Sequence, residues 1–279
     1  MATINLATDY KGYVDEQFTA ESKTSLLTNR DFDWIGAHSV RIYKVTTSPM
    51  NDYGRNGATS KNWSRYGAVS DLDATTEEMA LSRDRSFTFV IDSLDMDETK
   101  LALEAATALA RQQREVVIPE IDMYVYQKIC SGAGTKPEAV DLTASNIYDE
   151  VLKASQTLDD AMVPEVGRVL LVTPTVYAMM KKNDEIVLQS DVGNDLRLRG
   201  VIGLLDGAMV IKVPAIRLPE KFGFLLIHPM ATVAPVKLED YKIHDNPPGI
   251  NGNLVEGRIC YDAFVLENKA KAIYYQAIV

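Results

Sequence analysis

Cysteine is nearly absent from this chain of 279 residues: Cys130 and Cys260 are the only two. They lie far apart in apolar surroundings, which excludes a disulfide framework and suits reduced, buried thiols of a cytosolic setting. Histidine is scarce too. His38, His228 and His244 lack the spacing of a metal site, and no His-Glu-x-x-His or paired-Cys pattern occurs, so neither a metal nor a cofactor is expected. Basic charge is outnumbered, with 29 Lys and Arg against 39 Asp and Glu and a net charge of −10. That balance argues against a tight nucleic-acid binder, which needs clustered Lys and Arg to neutralise phosphate. Long hydrophobic runs are missing: none reaches the ~20 apolar residues of a membrane span. The opening MATINLATDYKGYVDEQ has neither the basic start nor the apolar core of a signal peptide, so no secretion is expected.

The short motifs of catalysis fail as well. Gly132-Ala133-Gly134-Thr135-Lys136 follows a helical pattern and lacks the Lys-Ser/Thr ending of a phosphate loop, so it reads as a helix stop. Cys130-Ser131-Gly132 lacks the strand and the flanking glycine of a nucleophile elbow. Asp159-Asp160 and Glu77-Glu78 read as solvated faces, and Asn62-Trp63-Ser64 matches a glycosylation acceptor by chance. No catalytic residue is expected.

What is present is ordinary in bulk: 46% apolar and 24% charged residues, with enough length for one large or two small domains. Residues 1–36 show little period, apart from a short helix expected near Gln17–Leu26. Asp95-Met96-Asp97-Glu98 resembles a capping box. From there Leu101, Ala105, Ala108, Leu109 and Val116 trace one stripe at helical spacing. Pro119 should interrupt or kink that helix, after which Ile121, Val125 and Ile129 resume the period. A second helix is expected from Thr143 along Ile147, Val151, Ala154, Leu158 and Met162. A third is expected after Thr173-Pro174. Arg168–Val172, Ala208–Val213, Phe222–Ile227, Val236–His244, Arg258–Leu266 and Ala270–Ala277 read as strands. The whole is an α+β chain.

One stretch breaks the pattern. Thr46–Arg85 has no hydrophobic period, yet lies between two runs that read as strands, Val40–Val45 and Ser86–Ile91. Structureless loops longer than ~12–15 residues are uncommon in compact domains. Loop-border strands that pair with each other make the stretch an extended arm that finds its partner on another subunit. Its tip carries Asp52, Tyr53, Arg55, Lys61, Trp63 and Arg65, net positive. Asp71, Asp73, Glu77 and Glu78 follow without a compensating base. A second polar excursion, Asn183–Arg199, holds Asp184, Glu185, Asp191 and Asp195 against Arg197 and Arg199.

Three segments carry a family resemblance: VVIPEIDMYVYQKI at Val116–Ile129, VPEVGRVLLVTPTVYAMM at Val163–Met180, and EGRICYDAFVLENKAKAIYYQ at Glu256–Gln276. With the order of parts along the chain, they resemble the major capsid proteins of tailed bacteriophages. The resemblance implies the HK97-like capsid fold: an N-terminal arm over 1–36, an extended β-hairpin loop over 37–94, and a spine helix of a peripheral domain over 95–134. An axial α/β domain would cover 135–235, with a return to the peripheral domain over 236–279. It further implies self-assembly as pentamers and hexamers of an icosahedral shell, with portal and scaffolding partners. Packaged double-stranded DNA would be enclosed without sequence-specific binding, in a virion assembled in the host cytoplasm without a membrane. On this reading the 183–199 excursion nears the symmetry axes. Some related capsids join a loop Lys to a neighbour's Asn. Lys61 and Asn246, Asn251 or Asn253 supply the parts, but no carboxylate base is evident and no crosslink is expected. Two rival readings are an encapsulin-like nanocompartment and a soluble α/β enzyme with a long active-site lid.

Overall fold

The computed structural model describes residues 22–29, 39–45, 47–55, 64–69, 71–72, 74–98, 105–183, 186 and 203–279. The chain divides into two compact units, residues 36–81 and the remainder.

In the 36–81 unit, β1 (Ser39–Val45) runs antiparallel to β2 (Ala74–Ala80), from Ser39 opposite Ala80 to Val45 opposite Ala74. The sequence reading paired the first run with Ser86–Ile91 and left everything between without structure; both points are corrected. The partner is ATTEEMA, inside that stretch. It shows no apolar alternation because a two-stranded ladder in solvent needs none, and of its side chains only Met79 is buried.

The remainder, here the body, contains the other strands: β3 (Arg83–Asp92), β4 (Val169–Val172), β5 (Leu204–Leu205), β6 (Ala208–Lys212) and β7 (Phe222–Ile227). β8 (Thr232–Val233), β9 (Val236–Asp245), β10 (Gly252–Tyr261), β11 (Phe264–Val265) and β12 (Ile273–Ala277) follow. Its helices are α1 (Ser93–Glu98), α2 (Ala105–Gln112), α3 (Ile118–Gly132), α4 (Ile147–Asp160) and α5 (Pro174–Lys182).

A five-stranded sheet ordered β12-β7-β4-β6-β5 holds the centre. Every residue of β4 and β7 is buried, so both faces are covered. Because side chains alternate along a strand, successive residues enter different cores. Val169, Leu171, Leu225 and Ile227 join Val125 and Ile129 of α3. Leu170, Val172, Phe224 and Leu226 join Val151 and Leu158 of α4 and Val176 and Met180 of α5. At about 1.5–3 kcal/mol for each large apolar side chain withdrawn from water, this three-layer packing is the largest apolar burial among the described residues. Thr173 caps α5 by accepting the Val176 N–H. The closing strand begins at Ile273 and not at Ala270, since Glu267–Ala272 forms a 3-10 turn, and it joins this central sheet.

The second sheet is ordered β3-β10-β9, antiparallel throughout. β10 starts at Gly252, six residues earlier than expected, and stops at Tyr261. On one face Ile91 and Val255 pack with Ala105 of α2, and Ala108 and Leu109 lie against them.

The spine is helical without a break from residue 105 to 132. Pro119 does not interrupt it. The turn before the proline, Gln113–Val117, is a π-helix in which the Ile118 N–H reaches Gln113 O. A proline ring collides with the carbonyl four residues back, and a widened turn relieves that collision. The extra residue also rotates the apolar stripe. Val116, expected inward, is 47% exposed, whereas Val117 is buried. At the other end a Cβ on Gly134 would lie 2.5 Å from Ala270 O, so only glycine lets the chain pass there.

Other helix boundaries shift as well. α1 starts at Ser93, with the Asp92 carboxylate accepting the Leu94 N–H at 2.8 Å, so the supposed capping box lies inside the helix. α4 starts at Ile147 after a turn held by Asn146, whose side-chain oxygen accepts the Thr143 N–H. Its stripe stops at Leu158, and Met162, with φ of 56° beyond the helix end, is exposed. Near the N-terminus, Thr24–Leu26 forms a 3-10 turn; Gln17–Glu21 lie outside the described residues.

Candidate assembly surfaces and buried anchors

The 36–81 unit presents polar and apolar side chains with little core of its own. Asp52, Arg55, Arg65, Asp71 and Glu78 are exposed. Tyr53 meets Tyr66 edge-on at 5.1 Å, and the Gly54 N–H donates to Arg65 O at 2.8 Å, so two loop segments close on each other. Met50, Tyr66, Val69 and Leu72 stay open to solvent although each is apolar. The acidic stretch is not uncompensated as the sequence suggested: Lys44, across the ladder, holds Glu77 at 3.0 Å. Lys61, Trp63 and Asp73 lie outside the described residues.

Of the 183–199 excursion only its root is described. Asn183 is buried, donating to Ala144 O at 2.7 Å and accepting the Ile186 N–H. Asp184, Glu185, Asp191, Asp195, Arg197 and Arg199 lie outside the described residues. So does Leu101 of the spine stripe, while Ala105, Ala108 and Leu109 face β3 and β10.

The remaining candidates resolve as structural. His228 is buried between Val166 O and the Met230 N–H. Asp159 is not merely solvated, because it pairs at 2.6 Å with the buried Arg168. Burial pushes the Cys130 thiol up to about 12, which keeps it neutral and inert. Among the described residues, no group of three or more His, Cys, Asp or Glu could hold a metal ion, and no helix is long and apolar enough to cross a membrane.

Sequence reasoning missed two buried carboxylates. Asp122, 1% exposed on α3, accepts from Arg217 at 2.7 Å, from Ser22 at 2.6 Å and from Thr24 at 3.3 Å. It ties the segment carrying the fully buried Leu27 to the spine. Burial raises its pKa, against the opposing pull of Ser22, Arg217 and Thr24. The signal was available: Asp122 sits three residues before Val125 and seven before Ile129, on the helix face that must be buried. Asp262, 2% exposed after β10, accepts from Ser82, Tyr124 and the Ala263 N–H. Here too burial works upward, but the hydrogen bonds outweigh it and the pKa is lowered.

No protein-family model and no characterised protein matches the sequence. Solved structures do match. A chain of Mycobacterium phage Che8 shares 19% identity at a TM-score of 0.76, covering 99% of this chain and 98% of its own. The capsid structure of cyanophage P-SCSP1u matches at TM-score 0.78 and 14% identity, over 98% of this chain and 93% of its own. A virus-like particle from Pyrococcus furiosus matches at TM-score 0.56 and 12% identity, over 92% of each chain. At these identities the likeness is one of fold, and it spans nearly the whole chain: this protein has the mixed helix-and-sheet fold of phage capsid chains.

Proposed function

We propose that this chain is the major capsid protein of a tailed bacteriophage, a structural subunit without catalytic activity that self-assembles into an icosahedral shell around double-stranded DNA. The observation that carries the reading is the end-to-end match to a phage capsid chain. The 36–81 unit supports it. A two-stranded ladder with exposed Met50, Tyr66, Val69 and Leu72 lacks the burial to stand alone, and shell subunits bury such parts on their neighbours.

In this reading residues 1–36 are the N-terminal arm, 37–94 the extended loop, 95–134 the spine, 135–235 the axial domain and 236–279 the return to the peripheral domain of an HK97-like subunit. Pentamers and hexamers of the chain close the shell with portal and scaffolding partners, in the host cytoplasm. The acidic balance of −10 suits a container whose lining must not grip phosphate. The charged 183–199 excursion nears the symmetry axes, where like charges converge and salt screens them over ~8 Å.

The test is to express the chain and examine it by gel filtration and electron microscopy. Particles in the void volume with icosahedral outlines are expected, and a small oligomer with no particles overturns the proposal in favour of a lidded enzyme. The Pyrococcus furiosus match keeps a second reading, a protein-filled nanocompartment. Phage-length DNA inside particles recovered from infected cells decides for the capsid, and particles carrying protein cargo and no DNA decide for the compartment.

A further inference from the structure

In a chain with ten more carboxylates than basic side chains, four lysines gather at one end of the central sheet. Lys181 of α5 and Lys212 of β6 hold their ammonium groups 5.1 and 5.2 Å from the centre of the same ring, Tyr177. Lys23 Nζ donates to Lys212 O at 3.2 Å, and Lys182 follows Lys181 in the open. Among the described residues, none of the four is joined to a carboxylate. A helix C-terminus favours cations, which accounts for Lys181 and Lys182. It does not account for Lys212 and Lys23, which two other segments bring to the same place against their mutual repulsion.

The other end of the sheet has the opposite character. Lys212 stands opposite Val172, the last residue of β4, whereas residues 160–167 lead toward its first, Val169. That segment carries Asp160 and Glu165, both exposed, and no basic side chain. Between them Met162 and Val166, at 91% and 87%, are the two most exposed large apolar side chains among the described residues of the body. We propose that the lysines beside Tyr177 receive residues 160–166 of a second copy, in a head-to-tail contact between neighbours. The inference rests on the reading of the chain as a shell subunit. Within one copy the two surfaces lie at opposite ends of the sheet, so neither satisfies the other. Because they differ, the contact repeats from copy to copy until a ring closes, as the proposed pentamers and hexamers require. Nucleic acid would also suit the lysines, but it would leave Met162 and Val166 in water. A second copy answers both the charge and the apolar surface.

The test uses the full-length chain in four forms: wild type, Lys181→Glu with Lys212→Glu, Asp160→Lys with Glu165→Lys, and all four substitutions together. Each reversed pair sets like charges against each other and should lower particle yield about tenfold. The combined form should recover it. Raising salt to about 1 M, where charges are screened over ~3 Å, should relieve either reversed pair, which it would not do for a folding defect. Wild-type yield from either pair overturns the contact, as does a loss that neither salt nor the combined form relieves. Normal particles that lack only their DNA overturn it in favour of a nucleic-acid surface. A wild type that forms no particles overturns the shell-subunit reading instead, and sedimentation velocity then decides the contact by itself. Self-association weakened by each pair and regained in the combined form supports it. A chain that stays monomeric, or associates equally in all four forms, overturns it.

Discussion

The body and the 36–81 unit are stabilised in different ways. In the body, alternate residues of β4 and β7 enter two separate cores, each sealed by helices. In the 36–81 unit, Met79 and Leu81 are the only buried apolar side chains among the described residues, and the ladder is joined by main-chain hydrogen bonds and the Lys44–Glu77 pair. A hydrogen bond contributes only about 0.5–1.5 kcal/mol net. Apolar burial thus holds the body together, whereas little of it supports the smaller unit.

The most severe way to break this comparison is to delete Asn51–Thr75. The body should remain soluble with a cooperative melt, and shells should disappear altogether. Normal shells from the deletion would show that the unit has no role between subunits.

Arg217→Ala attacks the body instead. It leaves the Asp122 carboxylate buried without its cation, at a cost of about 3–5 kcal/mol. A steep fall in urea midpoint is expected, and an unchanged midpoint would mean that water reaches Asp122.

Ala105→Trp overfills the contact with Ile91 and Val255, at about 1–3 kcal/mol. Calorimetry should show a lowered melting temperature for the body, and an unaltered one would place this spine face in solvent.

A subtler difference separates the two buried acids. Asp262 has a folded pKa below its ordinary value of 3.8, so it stabilises the fold above that value, and the contribution is lost as pH falls through the folded value. Asp122 has a raised folded pKa, so its contribution declines as pH rises through that value. Melting curves between about pH 3 and 7 should show the deficit of Asp262→Asn shrinking toward acid. For Asp122→Asn the wild type should instead lose ground as pH rises. Parallel curves for the two variants would contradict the opposite shifts.

The smallest expected effect is none at all. Mature particles boiled in detergent should run as one band near 30.9 kDa. A ladder of multimers would reveal a covalent bond between subunits. Asn246, one nominal partner for Lys61, already accepts the Gly252 N–H at 3.0 Å in its own turn.

Periodicity by itself determined the elements whose burial is local and regular. The helix through Ile147, Val151, Ala154 and Leu158, the cap at Thr173, and the continuous apolar strand at Phe222–Ile227 follow from side-chain spacing alone. Three features were decided only in the tertiary structure. The partner of β1 was hidden, since a solvated ladder imposes no apolar pattern on ATTEEMA. The π-turn before Pro119 was hidden, because no side-chain spacing says whether a proline ends a helix or is accommodated by a widened turn. The bond from Ser82 to Asp262 was hidden most completely: Asp262 lies 180 residues away in sequence, and no local rule says which donors a buried carboxylate will meet once the sheet has closed.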